Sequence, residues 1–240
     1  MQSLSVLAKE FAPQGELRVA LNYGNGVLVQ RGADGVPQGV SADLARELAR
    51  RLEVVPRFIS YDAAAKVAEA VTEKAWDLAF MAVDPKRATH IDFSDPYVQI
   101  EGTYLVKDHS PWQSVAQLDM PDTRIAVGKG AAYELYLSSH LQHAELVLFS
   151  TSAAAIHGFV NQNLDAAGGV RQTLMDYALD HNGYRVLADY YTAIHQAMAL
   201  PKGRPAALAY LKAFISEMKS SGFIAESLER SGQMGANVAS

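Results

Sequence analysis

The stretch from Trp76 to Val98 constrains this chain more than any other. Asp77 to Val83 is a short apolar run held between a charge and Asp84-Pro85, which predicts a buried strand ending in a turn. The turn is followed by one arginine, Arg87, and then by I-D-F-S-D-P-Y (91–97), which leads into another apolar segment. A strand buried on both faces needs neighbours and covering helices, so the flanking sequence must supply an α/β layer structure.

It does. Glu16 to Leu21 reads as a strand, followed by a polar loop through Asn22, Tyr23, Gly24, Asn25 and Gly26 and a hairpin tip at Asp34-Gly35. Ser41 is placed as the N-cap of a helix with Leu44, Leu48 and Leu52 on one face. Val54 to Ile59 is a second strand, and Asp62 is placed as the cap of a helix carrying Val67 and Val71. The run is β-α-β-α-β, the pattern of a parallel sheet. After Tyr97 the pattern restarts with strands at 102–106, 124–127, 146–149 and 164–167. Helices are expected from Ala131 to about His140 and after a cap at Thr151 or Ser152. Tyr191 to Leu200 is a long apolar extended segment. An amphipathic helix follows over about 205–220, with Leu208, Leu211, Ile215 and Met218 inward and Gly222 at its stop.

Composition excludes several functions. A net charge of −5 without a basic run gives no footprint for nucleic acid, and no apolar run reaches membrane-spanning length. The absence of cysteine removes disulfides, thiolate metal sites and cysteine nucleophiles. His140 and His143 stand three apart with no third ligand beside them, which reads as a solvated face, and no metal or cofactor is expected. Residues 1–15 carry Lys9 and Glu10 where a secretory signal would be continuously apolar. The expected location is therefore periplasmic if a leader has been trimmed, and cytoplasmic otherwise.

Five landmarks appear in order: G-V-S-A-D-L (39–44), W-D-L (76–78), the turn with Arg87, I-D-F-S-D-P-Y, and the closing S-G-F-I-A-E-S-L-E-R-S-G (221–232). With them the chain resembles, nearly end to end, the family 3 bacterial solute-binding proteins, receptors of polar amino-acid ABC transporters. The resemblance implies an α/β, two-lobed periplasmic-binding-protein-like fold of type II, with two parallel-sheet lobes joined by two extended hinge crossings. Lobe 1 would comprise 1–101 and 195–240, and lobe 2 the inserted 102–194. It also implies a small-molecule ligand in an inter-lobe cleft, an ABC permease as partner, a monomer, and no membrane insertion.

In open parallel sheets ligands bind beyond the carboxyl ends of the strands. The candidate ligand-binding residues are therefore Asn22, Tyr23 and Asn25 after the first strand, and Ala82, Asp84 and Arg87 after the third. From the second run come Gly130, Ala131, Ala132 and Tyr133 at a helix start, Val170 and Arg171 after the last strand, and His195 in the return segment. Arg87 has a bland reading, an exposed arginine pairing with Asp84 or Asp92; the resemblance favours a guanidinium fork that grips a ligand carboxylate. The amides of Gly130 to Ala132 are read as an anion seat at a helix N-terminus.

The chain departs from the family where the ammonium of an amino acid would be held, because Asn22 and Val170 stand in place of acids. Arg171 adds a possible second cation there, while Glu101 or Asp84 would restore negative charge if either pointed inward. A carboxylate lacking the amine is the expected ligand. Cyclohexadienyl dehydratases resemble the same family, so a lyase acting on a cyclic carboxylate remains open, with His195, Glu101 and Asp84 as acids and no recognisable catalytic constellation. A cytoplasmic ligand sensor on the same fold also remains open.

Overall fold

The first β-α-β-α-β run forms as its periodicity predicts. In the computed structural model, which describes residues 4–233 and 235–240, a helix α1 (Leu4–Phe11) that the sequence reading missed comes first. Residues 1–3 of the N-terminal segment weighed above lie outside the described residues. Next come β1 (Glu16–Asn22), a small hairpin of β2 (Gln30–Arg31) and β3 (Pro37–Gln38), α2 (Val40–Leu52), β4 (Val55–Tyr61), α3 (Ala64–Glu69) and β5 (Leu78–Ala82). A long strand β6 (Ile91–Lys107) leads to β7 (Arg124–Gly128), α4 (Ala132–His140), β8 (Glu145–Phe149), α5 (Ser152–Asn161), β9 (Ala166–Val170), α6 (Arg171–Asp180) and β10 (Tyr184–Val186). The chain ends with β11 (Thr192–Pro201), α7 (Pro205–Ser220), α8 (Phe223–Arg230) and β12 (Asn237–Val238).

Two compact units result. The first holds residues up to Asp62, Lys66–Gln99 and His195–Ser240; the second holds Ala63–Ala65 and Ile100–Ile194. In the first unit β1 pairs in parallel with β4 and β5, and β11 runs antiparallel to β5, with Gln196 opposite Ala82. In the second, β7 pairs in parallel with β8 and β9, and β6 runs antiparallel to β9, with Gly102 opposite Val170. Both β6 and β11 carry residues of both units.

Several local expectations change. Ser41 does not cap α2: the helix starts at Val40 behind Gly39, whose φ of 98° only glycine adopts cheaply, and the buried Ser41 hydroxyl lies 3.2 Å from that of Tyr97. The I-D-F-S-D-P-Y segment is not a lead-in but the first half of β6. Pro96 brings no N–H, and beside it the Ser94 hydroxyl accepts from the Met198 amide at 3.0 Å while donating to the Asp95 carbonyl. α3 (Ala64–Glu69) ends before Val71, which was expected on it, though Val67 and Val71 are both buried. α4 stops at His140, so His143 is not on the helix; its amide is instead one of three held by the Asp119 carboxylate. α7 spans the predicted residues, with Ala207 and Phe214 buried in addition to Leu211, Ile215 and Met218, and Leu208 only half-buried.

The first unit is built round Trp76 and Asp77. Trp76 is fully buried among Ala20, Val67, Val71, Ala79, Met81 and Ile91, and its indole N–H donates to the Val67 carbonyl at 2.8 Å. Asp77, also 0% exposed, receives Arg18 as a fork at 2.7 and 3.0 Å and Arg204 at 3.1 Å. Such a carboxylate is tolerated only with its partners in place. Removing one partner of a buried ion pair costs about 3–5 kcal/mol. Arg18→Ala should therefore lower unfolding stability by that amount, with the urea midpoint as the readout and Lys74→Ala as an exposed control.

Candidate functional site

Each unit gathers predicted residues at the carboxyl ends of its parallel strands. In the first unit β1 ends at Asn22, and the loop beyond it folds on its own polar side chains. Asn22 Oδ1 accepts the Gly24 amide at 3.0 Å, and Asn25 Oδ1 accepts the Val27 amide at 3.3 Å. Gly24 is required by space, since a Cβ there would lie 2.5 Å from the Asp62 carbonyl oxygen. Tyr23 donates its amide to the Tyr61 carbonyl, and the Arg31 guanidinium covers its ring at 4.1 Å. The asparagine carbonyls are thus engaged within the loop.

β5 ends at Ala82, and the turn beyond it is closed by Asp84, whose Oδ1 accepts the amides of Lys86 at 2.8 Å and Arg87 at 3.1 Å. That capped turn starts a short 3-10 segment (Arg87–Thr89) and directs the Arg87 side chain inward. Arg87 is 7% exposed, and its Nη1 donates to the Ala82 carbonyl at 3.0 Å. Burial pulls its pKa below the ordinary arginine value, with the Asp84 charge acting against the shift. The bland expectation of an exposed turn arginine does not hold. His195, in β11, is exposed, and its carbonyl accepts the Val83 amide at 2.9 Å, beside the buried Gln196.

In the second unit β7 ends at Gly128 and the chain turns through Gly130, at φ 71°, into α4. A residue the sequence reading missed organises this turn. Glu134 is 7% exposed; its Oε2 accepts the Gly130 amide at 2.7 Å and its Oε1 accepts the Ser138 hydroxyl at 2.6 Å. The Ala131 amide goes to the Gly128 carbonyl at 3.1 Å. A carboxylate of the chain itself therefore sits at the start of α4, where the peptide dipoles favour negative charge. Its sequence signal was a first-turn acid four residues after a turn glycine. Tyr133 is buried, with its hydroxyl 2.8 Å from that of Ser152 and accepting the Gly128 amide at 3.3 Å; burial raises its pKa.

β9 ends at Val170, which is at once the last strand residue and the N-cap of α6. Arg171 follows and is fully engaged. Its Nε pairs with Glu101, and its terminal nitrogens donate to the carbonyls of Leu187, Ala188 and Asp189 at 2.9–3.0 Å. Close by, Tyr191 packs against Tyr104 with ring centroids 4.6 Å apart. It needs the glycines beside it, for a Cβ on Gly102 would come within 2.9 Å of its ring. Among the described residues no group of three or more metal-ligating side chains occurs, and no helix is long and apolar enough to cross a membrane.

Bacterial extracellular solute-binding proteins, family 3, match residues 17–233 of this chain. A glutamine-binding protein of an ABC transporter from Bacillus subtilis is 26% identical over 145 residues, which is 60% of this chain and about half (53%) of the relative's length. Among solved structures, an ancestral amino acid-binding protein described as a precursor of cyclohexadienyl dehydratase is 26% identical. It has a TM-score of 0.78 and coverage of 93% of this chain and 97% of that one. The solute receptor for L-cysteine of Neisseria gonorrhoeae superposes with a TM-score of 0.81 at 21% identity, covering 96% and 93% of the two chains. The fold is the α/β, two-lobed periplasmic-binding-protein fold of type II.

The Glu134 contacts make a direct check possible. Glu134→Ala takes away the carboxylate that accepts from the Gly130 amide and the Ser138 hydroxyl, a loss of about 1–3 kcal/mol. Glu134→Gln keeps an acceptor for Gly130 and should recover most of it, as read by thermal unfolding of the two variants side by side.

Proposed function

The chain belongs to the bacterial extracellular solute-binding proteins, family 3, and from that we propose that it captures a small organic carboxylate for an ABC-type uptake system. The observation that carries this reading is Arg87, a buried guanidinium held at the carboxyl end of β5 by Ala82 and by the Asp84-capped turn. A planar fork fixed in this way meets a carboxylate with two parallel hydrogen bonds. The relatives named for glutamine, for amino acids and for L-cysteine bind ligands that all carry an α-carboxylate, which supports the assignment.

The proposed lobes are 1–101 with 195–240, and 102–194. The proposed ligand lining is Arg87 with Asn22, Tyr23, Asn25, Ala82 and Asp84 in the first, and Gly130, Ala131, Ala132, Tyr133, Val170 and Arg171 in the second, with His195 in the return strand. The acids in and beside that lining already have partners: Asp84 Oδ1 accepts the turn amides of Lys86 and Arg87, Glu101 pairs with Arg171, and Glu134 accepts from Gly130 and Ser138. An unpartnered ammonium is costly to bury, so the favoured ligand is a carboxylate without an α-amine. The working partner is an ABC permease, and the compartment is that of the family, outside the cytoplasmic membrane.

A thermal-shift panel of matched pairs tests this, each pair differing only in the α-amine: glutarate and glutamate, 3-phenylpropanoate and phenylalanine, 5-guanidinopentanoate and arginine. A ligand at a hundred times its dissociation constant stabilises by about 2.7 kcal/mol, and at least one amine-free member should do so more strongly than its partner. Micromolar binding of the amine-bearing members alone would defeat the preference. For whichever probe binds, Arg87→Ala should weaken binding by about 2–5 kcal/mol, measured by calorimetry. Unchanged affinity would remove Arg87 from the site.

A further inference from the structure

Three observations in the second unit converge on one residue. First, the antiparallel pairing of β6 with β9 sets Gly102 opposite Val170, and so places Glu101 next to Arg171 across the ladder. Second, the two side chains form a half-buried ion pair, 31% and 17% exposed. Third, the rest of the Arg171 guanidinium is lodged among the carbonyls of Leu187, Ala188 and Asp189, and the Leu187 and Asp189 carbonyls also accept the Thr103 hydroxyl. Arg171 is therefore held in one place by groups from β6 and from the segment before β11. The carboxylate it meets is the acid nearest to Val170 in the ladder.

We infer that Arg171 determines specificity by masking Glu101, so that the strand end at Val170 presents no net charge to a ligand. This deepens the proposed function and rests on it, since it requires that the ligand reach Val170. Without the guanidinium, the same place would offer one carboxylate and three carbonyl oxygens, all acceptors. That is a seat for an ammonium or a guanidinium. Without the carboxylate, the fixed arginine would leave a net positive charge that repels an amine and favours a second carboxylate. The identity of residue 170 alone does not decide the charge of this region; the Glu101–Arg171 pair does.

The two halves of the pair predict opposite shifts, which separates masking from a purely structural role. The readout is the ratio of affinities within each matched pair, amine-bearing over amine-free, by calorimetry on the full chain. In Arg171→Gln the ratio should rise about tenfold, the effect of one uncancelled charge a few ångströms away in a partly screened site. In Glu101→Gln it should fall below wild type, and glutarate should gain relative to 3-phenylpropanoate. If Arg171→Gln fails to fold because the 187–189 carbonyls lose their donor, Glu101→Gln decides by itself. Ratios that stay within about twofold of wild type, or that move the same way in both variants, overturn the inference. Wild-type protein that binds no member of the panel defeats the carboxylate reading and this inference together; wild-type binding with unmoved ratios defeats this inference alone.

Discussion

A carboxylate at 0% exposure, Asp77, lies between two arginines, and the first unit is arranged to keep it there. Arg18 comes from β1 and Arg204 from the residue that precedes α7, so one charge ties the central strand, its neighbour and the start of a C-terminal helix. Arg18 also donates to the Lys74 carbonyl at 2.7 Å, and the Asp77 amide donates back to the Arg18 carbonyl at 2.8 Å. The buried strand begins one residue later and cannot slide, because a slip would take Asp77 away from both cations. Where β5 ends is then determined, and with it the Ala82 carbonyl and the turn that hold Arg87. The position of the candidate binding group follows from an ion pair at the other end of the strand.

The second unit reaches the same kind of order by other means. Its strand ends are finished by Glu134, Tyr133 and Arg171, each bonded within the unit. Glu134 stabilises the Gly130 turn from inside the first turn of α4, where the peptide dipoles favour a carboxylate. Tyr133 and Ser152 join the start of α4 to that of α5. Groups held in this way lose little further freedom when a ligand engages them, the general condition for preorganised binding.

Much of this was legible in the sequence where a local rule and a tertiary need coincide. The 78–82 strand, the 205–220 helix with Pro205 at its start, and Gly222 in the left-handed region at its end all follow from pattern and residue chemistry. What escaped has a common cause, namely partners far away in sequence or elements with no loop between them. α6 went unread because β9 passes into it without a loop, Val170 serving both, and because its first turn, Arg171-Gln172-Thr173, is polar. β6 was read short because Asp92, Asp95 and Pro96 look like a turn; the Ser94 bond to the Met198 amide, which accommodates the proline, spans 104 residues. Ser41 has the residue type of an N-cap but lies one position inside the helix, where its hydroxyl serves Tyr97.

The same distance argument governs the charge beside Val170. From the sequence, Glu101 or Asp84 stood as an acid that would restore negative charge and Arg171 as a second cation, with a carboxylate lacking the amine as the expected ligand. The strand register pairs the two, because Gly102 opposite Val170 brings Glu101 and Arg171 together across 70 residues of chain. Each then offsets the other's charge. An acid missing at Val170 is not replaced by Glu101 while a guanidinium is bonded to that carboxylate. What stands beside Val170 is a neutral pair braced by three backbone carbonyls, and the inferred discrimination against an amine would come from negative charge that is present but already paired.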